Sequence, residues 1–253
     1  MDKQKYHFVD EQRHYPNAPI TEAIIDLRVE LPDSVTVEEL ADVNPGEEGG
    51  YPNQRNHIAI EGHMDFGEQV GSTARQIHMG YLFLDEDEKQ IFQARLDGFS
   101  FSRLAPYDRW ETFSEEARRL WNEYRAVAQP YKINSVGLRY INRLDLPMPM
   151  RDLKDFLRTV PEVSSDLPQE LNGYLMQLQI PQEDLGATLL LNEALVPPPE
   201  PQVSSVLLDI SIVQQAEHSL EEEDLWEVLA EFRVRKNRVF EACITNNTRE
   251  LFY

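Results

Sequence analysis

The feature that most constrains the fold is a strand-like segment that occurs once in each half of the chain. The first copy ends at residues 28–32 with the sequence RVELP, and the second ends at residues 143–147 with RLDLP. A short helical pattern and several strand-like segments follow each copy, and each half closes on a long amphipathic helix containing Leu-Trp. Because sequence repeats usually reflect repeated architecture, this order predicts an internal duplication of an α+β unit.

The first amphipathic helix ends at Pro130, which cannot continue a helix. We therefore predict a first α+β repeat over residues 1–130 and a second over residues 131–253, joined in one compact body. A chain of 253 residues with 41% hydrophobic residues is long enough to bury a continuous core.

Both copies of the repeated segment have the pattern of a half-buried strand. Apolar residues occupy every second position of residues 23–31, and Asp26, Arg28 and Glu30 occupy the other face. The predicted fold is two diverged β-α-β-β-β-α repeats that form a pseudo-twofold curved antiparallel sheet with two long helices on one face. Its nearest analogies are the TATA-binding-protein-like and helix-grip architectures, and a fold analogy carries no function.

The last long helix is predicted to run to about Cys243. Its later part carries Arg233, Arg235, Lys236 and Arg238, which we interpret as a solvated face placed favourably near the negative end of the helix dipole. Cys243 lies on the apolar stripe, which predicts a buried, unreactive thiol.

Charge and composition limit which functions and which cellular locations fit the sequence. The formal net charge is −21, which disfavours binding to nucleic acid or to an anionic membrane. A single cysteine cannot form an internal disulfide, the N-terminal residues are polar, and no apolar run is long enough to span a bilayer. We expect a cytoplasmic protein.

A weak metal-site candidate lies in a strand-like segment over residues 56–66. His57, Glu61 and His63 share one face if this segment is a strand, and imidazole and carboxylate groups bind zinc or manganese. Alternate side chains of one strand are about 7 Å apart, however, which is wider than the ligands of one ion. Polar side chains that face water explain the pattern equally, and we predict no metal site.

Motifs for catalysis are absent from the sequence. It contains no Walker-type phosphate loop, glycine-rich dinucleotide turn, HExxH, nucleophile elbow or paired-cysteine zinc motif. We therefore predict a protein that is not an enzyme and uses no cofactor.

The open face of the predicted sheet is the candidate site for a ligand or partner. Arg28, Arg139 and Arg143 lie on that face, and clustered arginines recognise carboxylates, phosphates or acidic helices. The alternative is that they pair with neighbouring carboxylates on the same face, namely Asp26, Glu30 and Asp145.

Three stretches carry a family resemblance: residues 15–20 (YPNAPI), residues 142–147 (NRLDLP) and residues 236–245 (KNRVFEACIT). Over nearly its whole length the chain resembles a sporadically distributed, uncharacterised bacterial protein family of about this size. The resemblance implies no activity and no catalytic residues. Patchy distribution is typical of genes in mobile elements, toxin–antitoxin pairs or antiphage defence loci.

We therefore hypothesise a non-catalytic protein-interaction component, a regulator or inhibitor in a bacterial defence or toxin–antitoxin-like system. Its expected partner is another protein, encoded nearby, and an oligomer is compatible with the sequence. The alternative is a nucleotide or nucleic-acid sensor that uses the open sheet face.

Overall fold

A computed structural model describes residues 13–44, 49–66, 70–218 and 222–253. Across these residues the chain is an α+β fold with one antiparallel sheet and two long helices, which confirms the predicted class. The strands are β1 (Ile20–Glu30), β2 (Asn53–Phe66), β3 (Val70–Leu84), β4 (Gln90–Arg95), β5 (Gly98–Leu104), β6 (Lys132–Pro147), β7 (Leu175–Gln182), β8 (Ala187–Val196) and β9 (Val203–His218). The helices are α1 (Trp110–Ala128), α2 (Glu222–Cys243) and the short α3 (Asn246–Glu250).

The two copies of the repeated segment, β1 and β6, lie side by side at the centre of the sheet. The strand order is β2-β3-β4-β5-β1-β6-β9-β8-β7, so each half of the chain occupies its own side. Ile24 faces Arg139 across the central pair, and Ala23 and Ile25 face Tyr140 and Leu138. The first half continues outward through β5, β4, β3 and β2, and the second continues through β9, β8 and β7, so the first half has one strand more than the predicted β-α-β-β-β-α repeat.

The same strand faces point into the core on both sides of the centre. One row of directly paired, buried residues crosses the first half: Ile25, Phe101, Phe92 and Phe83. The row that crosses the second half is Tyr140, Ile210, Leu191 and Leu178, and it is buried except for the partly buried Leu178. Because side chains alternate along a strand, the residues between those of the rows point to the opposite face of the sheet, against which no described helix packs.

Helix α1 buries one stripe against the first half of the sheet. Phe113 stacks on Phe101 of β5, with ring centroids 5.3 Å apart, and Trp121 meets Phe99 edge to face at 5.6 Å. The helix ends where Gln129 adopts a left-handed conformation before Pro130, so the predicted stop is confirmed.

Helix α2 covers the same face of the sheet beside α1. Leu229 and Phe232 are fully or almost fully buried, and the ring of Tyr140 in β6 contacts both Phe113 of α1 and Lys236 of α2. Cys243 is buried, as predicted. No described helix combines the length and the apolar character needed to cross a bilayer.

The two predicted short helices are only 3-10 turns, over Glu39–Val43 and Leu153–Asp155. Before the first turn, the Thr36 backbone N–H and hydroxyl both donate to Glu39 Oε2, at 2.8 Å and 3.1 Å. Segments this short form too few helical hydrogen bonds to offset the cost of nucleation, which explains the difference.

Candidate ligand cavity

The segment before β1 is held against α2 and the C-terminal residues by hydrogen bonds and ring contacts. The Tyr15 hydroxyl donates to Glu241 of α2 at 2.5 Å, and its ring meets Phe252 edge to face at 5.3 Å. The nearly buried Arg249 donates through Nε to the same Glu241 carboxylate at 2.7 Å. Burial and the Glu241 carboxylate raise the pKa of Tyr15 well above its ordinary value, so its hydroxyl remains a donor.

Beside these contacts, on the helix side of the sheet, lies a cavity of about 480 Å³. Its walls are residues 13–20, the start of α1 and residues 233–241 of α2, and its floor is Tyr140 and Asn142 of β6. Each of the three stretches that carry the family resemblance contributes to the lining. The structure thus brings together segments that are far apart in the sequence.

Lys236 is the most unusual residue of the cavity. Only 7% of its surface is exposed, and its Nζ lies 3.8 Å from the centroid of the Tyr140 ring. It forms no salt bridge with any carboxylate in the described parts of the chain. Burial, with a smaller contribution from the neighbouring Arg233 guanidinium, lowers the pKa of Lys236 to about 7.

Two tyrosine hydroxyls lie together at the base of the cavity. The hydroxyls of Tyr107 and Tyr140 are 2.9 Å apart, and their rings meet edge to face at 5.4 Å. Burial raises the pKa of Tyr107 to about 12 and raises the pKa of Tyr140 well above its ordinary value. Both groups are therefore protonated at neutral pH and able to donate hydrogen bonds.

The cavity is locally basic in a strongly acidic protein. Its basic lining consists of Arg13, Arg109, Arg233 and Lys236, and its acidic lining consists of Asp108, Glu111 and Glu241. Glu241 is already engaged by Tyr15 and Arg249, and Glu111 is 3.8 Å from Arg233. The arrangement leaves Lys236 as a buried positive charge for which the protein supplies no counter-ion among the described residues.

The interpretation of the basic residues of α2 as a solvated face is wrong for Arg235 and Lys236, which are both buried. Arg235 pairs with Asp184 at the outer part of the second half. The sequence did contain a signal for Lys236. It follows Phe232 by four residues and precedes Phe240 by four, which places it on the apolar stripe of the helix.

The three predicted arginines lie on the opposite, open face of the sheet, and each is already paired. Arg28 bonds Asp26 at 3.1 Å and also pairs with Asp97. Arg139 forms a bidentate salt bridge with Asp209, in which Nη2 lies 2.7 Å from Oδ2. Each pairing involves a different acidic group, so the three do not converge on a single cavity.

Arg143 follows the same pattern, with Asp145 Oδ1 at 3.0 Å and Ser205 Oγ at 3.1 Å from its guanidinium. Two of the three carboxylates named in the sequence-based alternative, Asp26 and Asp145, are among the observed partners. Glu30 instead accepts bonds from Tyr131 and Asn134.

The weak metal candidates are not assembled into a ligand set. His57 lies near Arg95 and His78, while Glu61 is exposed farther along β2, and the side chain of His63 is outside the described residues. The apolar side chains that alternate with these polar ones are exposed as well, at 47% for Ile58 and 72% for Ile60. Within the described ranges no three His, Cys, Asp or Glu side chains lie close enough to hold a metal ion.

Comparison of the chain with protein-family models, with curated proteins and with solved structures found no match. The geometry of the cavity is therefore the basis for a functional proposal.

Proposed function

We propose that this protein binds a small anionic ligand in the cavity between its N-terminal segment and α2, and acts as a non-catalytic regulatory component. The observation that carries this proposal is Lys236, a buried amine that lines a cavity and has no carboxylate partner among the described residues.

An unpaired buried charge is costly to the folded protein. The ring of Tyr140 offsets part of this cost, since cation–π contacts contribute about 0.5–2 kcal/mol. Removing an ammonium group from water costs several kcal/mol more, unless an anion accompanies it or the group loses its proton. An anionic ligand would supply the missing counter-ion.

The size and lining of the cavity favour a small molecule. A volume of about 480 Å³ lies within the usual range for ligand pockets, which is roughly 300–1,000 Å³. Carboxylate and phosphate are the anions that arginine and lysine recognise in proteins. We therefore place carboxylates and small phosphates ahead of longer polyanions, which the net charge of −21 repels.

Calorimetry at pH 6.5 with acetate, pyruvate, inorganic phosphate and adenosine monophosphate tests the proposal. We expect at least one anion to bind the wild type, and the K236M variant to lose that binding. K154M is the matched control, because Lys154 is exposed and pairs only with Glu162. No binding by any of the four anions, or equal binding by K236M, would contradict the proposal.

A protein partner is a second candidate function, and it is the hypothesis made from the sequence. The uncovered sheet face and the net charge of −21 favour it, because a large acidic surface complements a basic protein. A place in a defence or toxin–antitoxin-like system stays a prediction. The test is to co-express the protein with the product of each neighbouring gene and to purify the complexes. If no product co-purifies with the protein, the protein-partner function is contradicted.

We also propose that the two halves descend from one duplicated unit. The support is the matching order of strands outward from β1 and β6, together with a central register in which Ala23 faces Tyr140 and Ile25 faces Leu138. A twofold axis through the Ile24–Arg139 pair would relate Arg28 to Arg143. A saddle-like curvature of the TATA-binding-protein or helix-grip kind stays a prediction.

A further inference from the structure

We propose that Lys236 captures its ligand covalently, as an imine, and that the ligand is a small carbonyl compound that also carries a carboxylate or phosphate group. This inference rests on the proposed function, since it names the class of anion that the same cavity takes.

The first argument is the placement of the amine. Lys236 Nζ lies over the face of the Tyr140 ring, in a cavity wall that a small molecule can reach, and no described carboxylate holds it as an ammonium ion. Only a neutral amine has the lone pair that attacks a carbonyl carbon. Of the other lysines whose side chains are described, Lys132 pairs with Glu217, Lys154 pairs with Glu162, and Lys89 is exposed.

The second argument is the neighbouring cation. Arg233 lies one turn before Lys236 on α2, and the charge of its guanidinium opposes protonation of Lys236. A desolvated lysine beside another cation is a recurrent way in which proteins activate an amine for carbonyl chemistry. Arg233 also lines the cavity, where its guanidinium can hold the carboxylate of the carbonyl compound.

The third argument is the pair of protonated hydroxyls that borders the cavity. The Tyr107 and Tyr140 hydroxyls are bonded to each other, and both retain their protons at neutral pH. Such a pair can supply a proton to the carbonyl oxygen and take one back from the nitrogen, because each hydroxyl both donates and accepts.

The chemistry balances without an oxidant or a reductant. The Lys236 nitrogen attacks the carbonyl carbon, a C–N bond forms, and the carbonyl electron pair moves to oxygen, which takes a proton. Over the whole reaction the nitrogen loses two protons and the oxygen gains two, so the C–O bond breaks with water as the leaving group while the C=N bond of the imine forms. The overall change is amine plus carbonyl to imine plus water.

Trapping with cyanoborohydride tests this inference in the full-length protein. Pyruvate and acetone form a matched pair of probes, because they share the methyl ketone and only pyruvate carries a carboxylate. We expect pyruvate to label Lys236 roughly tenfold faster than Lys89, Lys132 or Lys154, as measured by peptide mass spectrometry. We expect acetone to label Lys236 at least roughly tenfold more slowly than pyruvate does, because it lacks the anion.

Two variants separate recognition from capture. R233Q should slow labelling by both probes, because the Arg233 charge no longer opposes protonation of Lys236, and should slow labelling by pyruvate more, because pyruvate also loses a contact for its carboxylate. Thermal melting confirms that the variant is folded. K236R keeps a cation in the cavity and cannot form the trapped adduct. It should therefore abolish labelling at residue 236 and retain non-covalent binding of acetate or phosphate.

Equal labelling of all lysines by pyruvate, or equal labelling of Lys236 by pyruvate and acetone, would overturn the inference. If acetate or phosphate binds the wild type in calorimetry while pyruvate is never trapped, imine formation is wrong and the anion-binding function stands. If no anion binds, both the anion-binding function and imine formation at Lys236 are wrong.

Discussion

At the scale of single residues, a buried lysine and a buried glutamate have no salt-bridge partner among the described residues. One is Lys236 in the cavity, and the other is Glu193, which points inward from β8 and is only 1% exposed. Tyr174 donates to Glu193 Oε1 at 2.7 Å, whereas Oε2 has no hydrogen-bond partner. Burial lowers the pKa of Lys236 to about 7 and raises the pKa of Glu193 to about 7.

Replacing Lys236 with methionine should stabilise the fold while it removes ligand binding. The apolar side chain fills similar space, and the desolvation cost of the amine disappears. We expect the free energy of unfolding at pH 7 to rise by about 1–3 kcal/mol. Urea unfolding measures this change, and the exposed K154M control should stay within about 0.5 kcal/mol of the wild type. A K236M protein that is less stable would show that the amine is structural.

Glu193 should make stability depend on pH below neutrality. Its folded pKa of about 7 lies above the ordinary value of 4.5, so between these values the folded state binds the proton more tightly than the unfolded state. Stability from this group is therefore fully present below pH 4.5 and is lost as pH rises through 7.

The expected loss from Glu193 is on the order of 1–3 kcal/mol, because each pKa unit between 4.5 and about 7 corresponds to about 1.4 kcal/mol. Above a pH of about 7, where the folded state releases the Lys236 proton, Lys236 contributes with the opposite sign. This contribution is shared by the wild type and E193Q, so the difference between the two proteins reports Glu193. Urea unfolding of the wild type and of E193Q at pH 5 and pH 8 is the measurement. The variant should lose most of this part of the pH dependence, and an unchanged profile would contradict the assignment.

At the scale of elements, the sheet depends on close approaches between neighbouring strands. Gly80 of β3 pairs with both His57 and Arg95, beside a bulge at which β3 carries one extra residue. Its φ is +152°, and a Cβ added there would lie 2.0 Å from the Ala94 carbonyl oxygen. A side chain at this position is therefore excluded by contact as well as by conformation.

The G80A variant should be destabilised by at least about 3 kcal/mol, since β3 would have to move away from β4. G173A is the matched control, because a Cβ at residue 173 has no atom within 4 Å and the backbone there is not in the left-handed region. Thermal unfolding compares the two proteins. Equal melting temperatures for G80A and G173A would show that β3 and β4 separate freely.

The ion pairs of the open face should differ in what they contribute to the fold. Asp209 of β9 is buried and depends on Arg139 of β6 and on Asn192 of β8, whereas the Arg28 pairs are nearly half exposed. R139A should lower the free energy of unfolding by about 1–3 kcal/mol, because it removes one of the partners of a buried carboxylate. R28A should cost less than about 1 kcal/mol. The urea midpoints of the two variants test this order, and the reverse order would contradict it.

At the scale of the whole molecule, the centre of the sheet is also the seam between the two halves. The β1–β6 pairing extends from Ile20 facing Asn142 to Glu30 facing Lys132. Phe113 of the first half packs against Tyr140 of the second, and Tyr15 is bonded to Glu241. The cavity therefore draws its walls from both halves and exists only when they are joined.

Separate fragments of residues 1–130 and 131–253 should not unfold cooperatively on their own. In each fragment one edge of the long central strand would be unpaired and one side of the shared core exposed. An equimolar mixture should regain a cooperative transition, measured by circular dichroism during urea titration. Two independently cooperative fragments would show that the halves are separate domains.

Much of the architecture could be predicted from local pattern. Alternation over residues 23–31 predicted the inward face of β1, and the spacing of Phe113, Leu120 and Tyr124 predicted the buried stripe of α1. These predictions were successful because each depends only on neighbours in the sequence. The lengths of the two short helices were not predictable in this way, because tertiary context determines whether such a segment extends beyond one turn.

The sequence by itself determined the α+β class and the apolar faces of β1 and α1, since side-chain periodicity follows directly from backbone geometry. Only the tertiary structure decided that residues 15–20, 142 and 236–241 meet around one cavity and that Lys236 is buried there. The physical reason is that burial, and with it the pKa of an amine, depends on groups brought together from distant parts of the chain.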